Sequence, residues 1–185
     1  MDADKARLIE LLKELSYRRR KVILASGRES DFYVDGKQTT LHAEGAALVG
    51  KLMLRAIRER DPSVRGVGGL TLGADPIATA TSVMSTLDGG PHLHAFLVRK
   101  EAKGHGTKRY VEGRGNLPDG TPVAIVEDTS TTGGSAWKAV ERARGEGLDV
   151  RLLLTIVDRE EGAKENIADK GMELIALVKR NELEG

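Results

Sequence analysis

The chain contains no cysteine, which excludes disulfide bonds, thiolate metal sites and cysteine nucleophiles. It also has no apolar signal segment after Met1 and no apolar run of the roughly 18–20 residues that would span a bilayer. The formal net charge is only +1, so no overall field draws the chain onto nucleic acid or a membrane surface. We therefore expect a cytoplasmic protein with no nucleic-acid or membrane partner, in keeping with a reducing compartment.

Strands and helices alternate along most of the 185 residues. Apolar positions at helical spacing predict helices over residues 4–16 and 43–60, the second ending at Asp61-Pro62. Asp75-Pro76 resembles an N-cap followed by proline at the first helical position, opening a helix to about Thr86. The remaining predicted elements are one helix at 136–145 and strands at 22–24, 32–34, 64–68, 92–98, 123–127, 150–157 and 174–178. This alternation predicts an α/β domain with a mostly parallel sheet, which binds ligands beyond the carboxyl ends of its strands.

The most polar segment follows the most apolar predicted strand. Residues 123–135 read Val-Ala-Ile-Val-Glu-Asp-Thr-Ser-Thr-Thr-Gly-Gly-Ser. Gly133 and Gly134 let the backbone approach an oxyanion closely, and the start of the following helix favours a phosphate. Glu127 and Asp128 supply acceptors for neighbouring sugar hydroxyls. The segment therefore predicts a site for a ribose 5-phosphate.

Residues 123–135 allow other interpretations. They could form an ordinary strand-to-helix turn with solvated acids and Ser135 as the helix N-cap. A Walker loop is excluded because Gly134 is followed by serine rather than lysine. A dinucleotide fingerprint is excluded because residues 66–71, Gly-Val-Gly-Gly-Leu-Thr, end in threonine.

Two acids followed by a threonine- and glycine-rich loop resemble the motif with which type I phosphoribosyltransferases bind phosphoribosyl diphosphate (PRPP). The resemblance implies the type I phosphoribosyltransferase fold, a central mostly parallel sheet flanked by helices, in a single domain over residues 1–185. It implies a small N-terminal hood subdomain mainly within 1–40, a PRPP-binding core over about 41–185 and a mobile lid over about 99–116. The implied PRPP contacts within the motif are Glu127, Asp128, Thr129, Ser130, Thr131, Thr132, Gly133, Gly134 and Ser135.

The long irregular stretch over residues 99–121 suits a lid, since loops of that length in compact domains are usually functional. Residues 99–115 contain six basic and two acidic side chains, with glycines at 104, 106, 113 and 115. A pliable cationic loop can stabilise a departing diphosphate and exclude water from an oxocarbenium-like centre. The alternative is a solvated charged loop.

Within this stretch, Arg99-Lys-Glu-Ala-Lys-Gly-His-Gly resembles the catalytic loop of the orotate phosphoribosyltransferase family. The resemblance implies a homodimer in which each loop closes over the neighbouring subunit's site. It implies PRPP contacts by Arg99, Lys100, Lys103 and His105, with catalytic roles for Arg99, Lys103, His105 and Asp128. It further implies Mg²⁺ carried by PRPP with no direct protein ligand, and transfer of the phosphoribosyl group to orotate in pyrimidine biosynthesis.

Three more segments match this family: residues 24–35, the Pro-Ile-Ala-Thr-Ala helix at 76–80, and Asp158-Arg159-Glu-Glu-Gly162. The resemblance implies orotate contacts by Tyr33, Val34 and Arg159 of these segments and by Thr131 of the glycine-rich motif. A guanidinium fork pairs well with a planar carboxylate base, although Arg159 could instead form a surface ion pair with Asp158 or Glu160.

The chain departs from the family at two places. Many members have a lysine where this chain has Ala25, and a tyrosine–lysine pair where it has Leu72-Gly73. Two alternative functions stay open: transfer to another base such as a purine, and a PRPP-sensing regulator that binds nucleic acid, which would need a basic face outside the lid.

Overall fold

The computed structural model describes residues 2–23, 29–102 and 109–185, with the side chains of 19–23 and 29–31 left aside. Helices lie at Ala3–Leu11 (α1), Gly36–Thr40 (α2), Ala43–Arg60 (α3), Ala74–Leu87 (α4), Gly134–Gly145 (α5), Ala163–Ala168 (α6) and Arg180–Glu184 (α7). Strands lie at Tyr17–Ile23 (β1), Glu29–Val34 (β2), Gly66–Leu70 (β3), His94–Val98 (β4), Val111–Glu112 (β5), Pro122–Ser130 (β6), Asp149–Asp158 (β7) and Leu174–Lys179 (β8). A π-helical turn, Leu12–Ser16, continues α1, and a short 3-10 turn covers Arg114–Asn116.

The central sheet has six strands in the order β5-β4-β3-β6-β7-β8. All neighbours pair in parallel except β4 and β5, which pair antiparallel. The prediction of an α/β domain with a mostly parallel sheet is confirmed. From β3 the next strands along the chain are added toward one edge of the sheet, and from β6 they are added toward the other edge. The switch point therefore lies between β3 and β6, and sheets of this kind bind ligands at such a point.

The apolar strand β6 shows why helices cover both faces of the sheet. Val123 and Ile125 belong to the core cluster on the side of α5, whereas Ala124 and Val126 belong to the cluster on the side of α3 and α4. All four side chains are buried, with at most 1% of their surface exposed. Because successive residues of a strand face opposite ways, an unbroken apolar run requires cover on both sides.

The N-terminal segment packs onto the same core as the rest of the chain. β1 and β2 pair antiparallel in a separate two-stranded sheet. Phe32 from this hairpin and Leu8 and Leu12 from the first helix are fully buried in one cluster with residues of α3. A buried contact of 2.6 Å between the hydroxyls of Ser16 and Thr39 ties the end of the first helix to α2.

The helix predicted over 4–16 is present over residues 3–16, and its last turn, Leu12–Ser16, is π-helical. Other local predictions were wrong. Asp75 is not an N-cap: α4 begins at Ala74, because Gly73 already has helical angles (φ −60°, ψ −38°) and the N–H of Asp75 donates to the carbonyl of Leu72. Pro76 is tolerated because the first turn needs no backbone donor. The helices α2, α6 and α7 and the strand β5 were not predicted. None of the described helices is long and apolar enough to cross a membrane.

Candidate active site

A cavity of about 250 Å³ lies at the carboxyl ends of β3, β4 and β6. Its wall is made by Lys37, Leu70, Thr71, Leu72, Gly73, Lys100, Glu127, Asp128 and Ser135. A larger groove of about 460 Å³ between α3 and α4 contains none of the predicted site residues. We place the candidate site at the smaller cavity, because it combines two carboxylates and two lysines at the switch point of the sheet.

The register of β6 explains how its two acids reach this cavity. β3 pairs with β6 only from Gly66 to Gly68, opposite Val123 to Ile125. On the other side β7 follows β6 as far as Ser130. The strand therefore continues three residues beyond the predicted end at Glu127, and its edge toward β3 is free to border the cavity along Glu127 and Asp128.

Burial dominates the electrostatics of the acidic pair. Desolvation, reinforced by the neighbouring Asp128, raises the pKa of Glu127 to about 8. Desolvation also raises the pKa of Asp128, and the positive charge of Lys37 and the N–H of Thr129 work against this rise. The Thr129 N–H donates to Asp128 Oδ1 at 2.9 Å. The pair therefore carries less negative charge near neutrality than two exposed acids would.

The glycine turn after β6 is held in place by α6. Gly133 has φ +78°, and a β-carbon there would lie 3.0 Å from Cγ1 of Ile167. Asn166 donates from Nδ2 to the carbonyl of Thr132 at 3.1 Å. Among the described residues no side chain caps the N-terminus of α5, so its first N–H groups are left to an anion.

The predicted phosphate residues do not all border one cavity. Ser135 lines the acidic cavity, whereas Thr132, Gly133 and Gly134 line a neighbouring depression of about 500 Å³ beside Trp137 and α6. Ser130 is fully buried, as is the hydroxyl of Thr129, whose Oγ1 lies near Gly36. Thr131 is half-buried in the turn between them.

Arg159 joins the end of β7 to the N-terminal hairpin. Its N–H donates to the carbonyl of Ser130 at 3.0 Å, which places it beside Thr131. Its Nη2 donates to the carbonyl of Phe32 at 2.8 Å and lies 2.9 Å from Glu161 Oε1. The structure thus brings Arg159 next to the segment that carries Tyr33 and Val34. Arg159 therefore forms a buried ion pair with Glu161. The alternative of a surface ion pair with Asp158 or Glu160 is wrong.

The cationic segment enters the site through Lys100. Lys100 lines the acidic cavity, whereas the Arg99 guanidinium lies 3.1 Å from Glu112 Oε1 on β5. Lys103 and His105 lie outside the described residues. Arg142 on α5 donates to the backbone carbonyls of Arg99 and Lys100, and its guanidinium carbon lies 4.3 Å from the centre of the Tyr110 ring.

Two residues next to Asp128 were missed by sequence reasoning. Lys37 reaches the acidic pair, with Nζ 3.7 Å from Asp128 Oδ2, and Gly36 packs against Asp128. The available signal was Asp35-Gly36-Lys37 directly after the Tyr33-Val34 segment. Of the two departures from the family, Gly73 lies against Asp128 Oδ1 and Ala25 lies outside the described residues. Within residues 2–23, 29–102 and 109–185, no three His, Asp or Glu side chains cluster as a metal site would require.

No protein-family model matches the chain. The orotate phosphoribosyltransferase of Sorangium cellulosum (strain So ce56) is 48% identical over 180 residues, covering 97% of this chain and 93% of that protein. A crystal structure of Mycobacterium tuberculosis orotate phosphoribosyltransferase in complex with Fe(III) dicitrate superposes with a TM-score of 0.83 at 44% identity, covering 97% of this chain and 98% of that one. A second structure of the mycobacterial enzyme, in complex with PRPP, gives a TM-score of 0.78 at 40% identity, covering 98% and 99%.

The sheet order and the acidic pair followed by a glycine turn define a type I phosphoribosyltransferase. Within that class, the extent and identity of these matches show that the chain belongs to the orotate phosphoribosyltransferase family.

Proposed function

We propose that this chain transfers the phosphoribosyl group of PRPP to orotate, giving orotidine 5′-monophosphate and diphosphate. One observation carries the proposal: in a member of this family, the acidic pair and Ser135 share a cavity with Lys100, the second residue of the cationic segment. A sugar-binding acid pair and a diphosphate-binding cation therefore face the same space.

The transfer is a direct reaction between the two bound substrates, without a covalent enzyme intermediate, and the protein catalyses it by positioning them. Glu127 and Asp128 bind the ribose hydroxyls, and the turn over residues 129–135 with the N-terminus of α5 binds the 5′-phosphate. Orotate N1 attacks the anomeric carbon as the bond to diphosphate breaks, and the N1 proton is released to water or to the departing diphosphate. No side chain acts as nucleophile, so the rate depends on alignment of the reactants and on stabilising the leaving group's charge.

The cationic segment contributes to that stabilisation. We assign Arg99, Lys100, Lys103 and His105 to the diphosphate. The observation supporting this is that the segment starts at the carboxyl end of β4, beside the cavity, and that Lys100 already lines it. Arg159 binds the orotate carboxylate through its guanidinium fork, with Thr131, Tyr33 and Val34 beside the ring.

Mg²⁺ belongs to the proposal as part of the substrate, held by the oxygens of PRPP, where it neutralises diphosphate charge. The cavity wall suits such a complex, since its charged groups are oxygen acceptors and ammonium donors and Mg²⁺ prefers oxygen ligands. Removing Mg²⁺ with a chelator should abolish turnover, and Mg²⁺ should restore it.

We also propose a homodimer that acts in the cytoplasm. Supporting the dimer, four large apolar side chains of the described residues, all in or next to α2 and α4, stand more than half exposed: Leu41, Leu72, Val83 and Leu87. Apolar surface of this kind commonly marks an interface.

One steady-state experiment tests the reaction. The chain is assayed for diphosphate release with PRPP and Mg²⁺ and with orotate, adenine or hypoxanthine as acceptor. We expect release with orotate and the appearance of orotidine 5′-monophosphate. Release with a purine alone would support the purine alternative, and a gel shift with nucleic acid that PRPP reverses would support a regulator.

A further inference from the structure

Lys37 is a charged residue of the cavity that the reaction scheme above does not use. It is the second residue of α2, and 45% of its side chain is exposed. Its Nζ lies 2.7 Å from Asp35 Oδ1 and 3.7 Å from Asp128 Oδ2. The ammonium is therefore shared between the N-cap of its own helix and an acid of the candidate site.

The backbone on both sides of Asp128 is shaped to make this contact possible. A β-carbon at Gly36 would lie 2.9 Å from Cβ of Asp128, and one at Gly73 would lie 2.7 Å from its Oδ1. Any larger residue at either place would push the Asp128 carboxylate aside. α2 and the turn before α4 therefore fix Asp128 from two directions, and α2 brings a positive charge with it.

We propose that Lys37 is a positioning residue for PRPP, which holds Asp128 as a charged acceptor for the ribose hydroxyls against the pull of Asp35. The proposal deepens the proposed function and rests on it. Lys37 acts through Asp128 and need not touch the substrate. Its effect is largest in the empty site, where only 16% of the Asp128 side chain reaches solvent.

The charges around Asp128 give the effect its sign. Burial and Asp35 before α2 favour the protonated form of Asp128. Glu127 on the same strand is the acid whose pKa the Asp128 charge helps to raise. The positive charge that favours the ionised form of Asp128 is that of Lys37, 3.7 Å away. Lys100 lines the same cavity from the end of β4, and Tyr33 on β2 faces Lys37.

The test uses the pH dependence of kcat/KM for PRPP at saturating orotate, which reports groups of the enzyme while its PRPP site is still empty. In Lys37→Met the acidic limb should move to higher pH by roughly one unit, the size expected from losing an opposite charge within ~4–6 Å. Below the limb this is about a tenfold loss. KM for orotate should change much less, and Lys37→Arg should keep the wild-type profile.

Asp35→Asn should act in the opposite direction. Asparagine serves as an N-cap as well as aspartate does, so α2 should be retained. Freed from the competing carboxylate, Lys37 should hold Asp128 more strongly, and the acidic limb should move to lower pH. Lys51→Met is the matched control: Lys51 pairs with Asp4 at 2.6 Å, is 56% exposed and lies on α3 away from the cavity. It should leave the profile unchanged.

An unshifted limb in Lys37→Met would overturn the proposal, even if activity fell equally at every pH, because that result indicates a purely structural role. Failure of the proposed function looks different: the wild-type chain would then show no orotate-dependent turnover. Calorimetric titration with PRPP alone, from acid to neutral pH, separates the two. Without any base present, the pH dependence of PRPP binding should move to higher pH in Lys37→Met and to lower pH in Asp35→Asn.

Discussion

The guanidinium of Arg159 donates to the backbone carbonyl of Phe32 at 2.8 Å, and its carbon lies 5.5 Å from the centre of the Phe32 ring. One arginine at the end of β7 thereby fastens the N-terminal hairpin to the sheet. The same side chain is the proposed partner of the orotate carboxylate, so its orientation depends on the hairpin.

Arg159→Lys should raise KM for orotate because an ammonium cannot offer two parallel donors. We expect KM for orotate to rise by about 10–100-fold, which corresponds to losing a charge-assisted hydrogen bond of about 1.5–3 kcal/mol. KM for PRPP should change much less. Arg180→Lys is the control, because Arg180 also lies over Phe32, at 4.7 Å, and pairs with Glu184. Equal orotate KM values in the two variants would contradict the role of Arg159.

Glu127 should make the stability of the fold depend on pH. Its pKa is raised from 4.5 to about 8 in the folded chain, so the stability linked to its proton is fully present below about pH 4.5 and is lost as pH rises through about 8. Glu127→Gln should therefore melt higher than the wild type at pH 9 but not at pH 4, by roughly 2–4 °C for each kcal/mol in a chain of this size.

Thermal melts at several pH values check this expectation. Glu141→Gln, on the exposed side of α5, should melt in parallel with the wild type at every pH. A Glu127→Gln curve that also runs parallel would show that the carboxyl is not held protonated.

Gly133→Ala should weaken PRPP binding as well as destabilise the fold. Alanine at a left-handed position costs about 1–2 kcal/mol, and here its β-carbon would also press on Ile167 and shift the turn. We expect KM for PRPP to rise by about tenfold, equivalent to ~1.4 kcal/mol. Gly171→Ala has a similar φ of +79° with nothing within 4 Å. The Gly171→Ala variant should lose stability but keep the wild-type KM for PRPP, and kinetic assays together with thermal melts would show this.

Two inactive variants should restore each other if the cationic loop acts across a dimer. Lys103→Ala removes a loop cation and Asp128→Asn removes a ribose acceptor, and each alone should be almost inactive. When the two are unfolded and refolded together, about half of the dimers are mixed and each mixed dimer has one intact site, so about a quarter of wild-type activity should return. Recovery no greater than the sum of the separate variants would mean that each loop serves its own subunit.

The elements that sequence predicted best are those in which burial alone decides the structure. Val123–Val126 is an unbroken apolar run, so only a strand covered on both faces accommodates it. α3 ends at Arg60 as predicted, because Pro62 restricts the residue before it. The helix α2 has no apolar period to reveal it. It exists because Asp35 caps it locally and because Thr39 packs against Ser16, a contact between distant parts of the chain.

The same division holds at the site. Glu127, Asp128 and Arg159 could be selected because their residue types suit sugar and carboxylate recognition. Their partners Lys37 and Phe32 could not, since these two reach them only through the packing of α2 and the hairpin against the sheet. A five-residue helix with a charged side chain carries no local signal that it faces a cavity.

The raised pKa of Glu127 has a consequence for how the substrate arrives. PRPP is a polyanion, and two ionised carboxylates at the entrance would repel it over a Debye length of about 8 Å at physiological ionic strength. The raised pKa of Glu127 lowers this negative charge, and Lys37 and Lys100 line the same cavity. The association rate of PRPP should therefore fall as pH rises through about 8, and added salt should weaken that pH dependence.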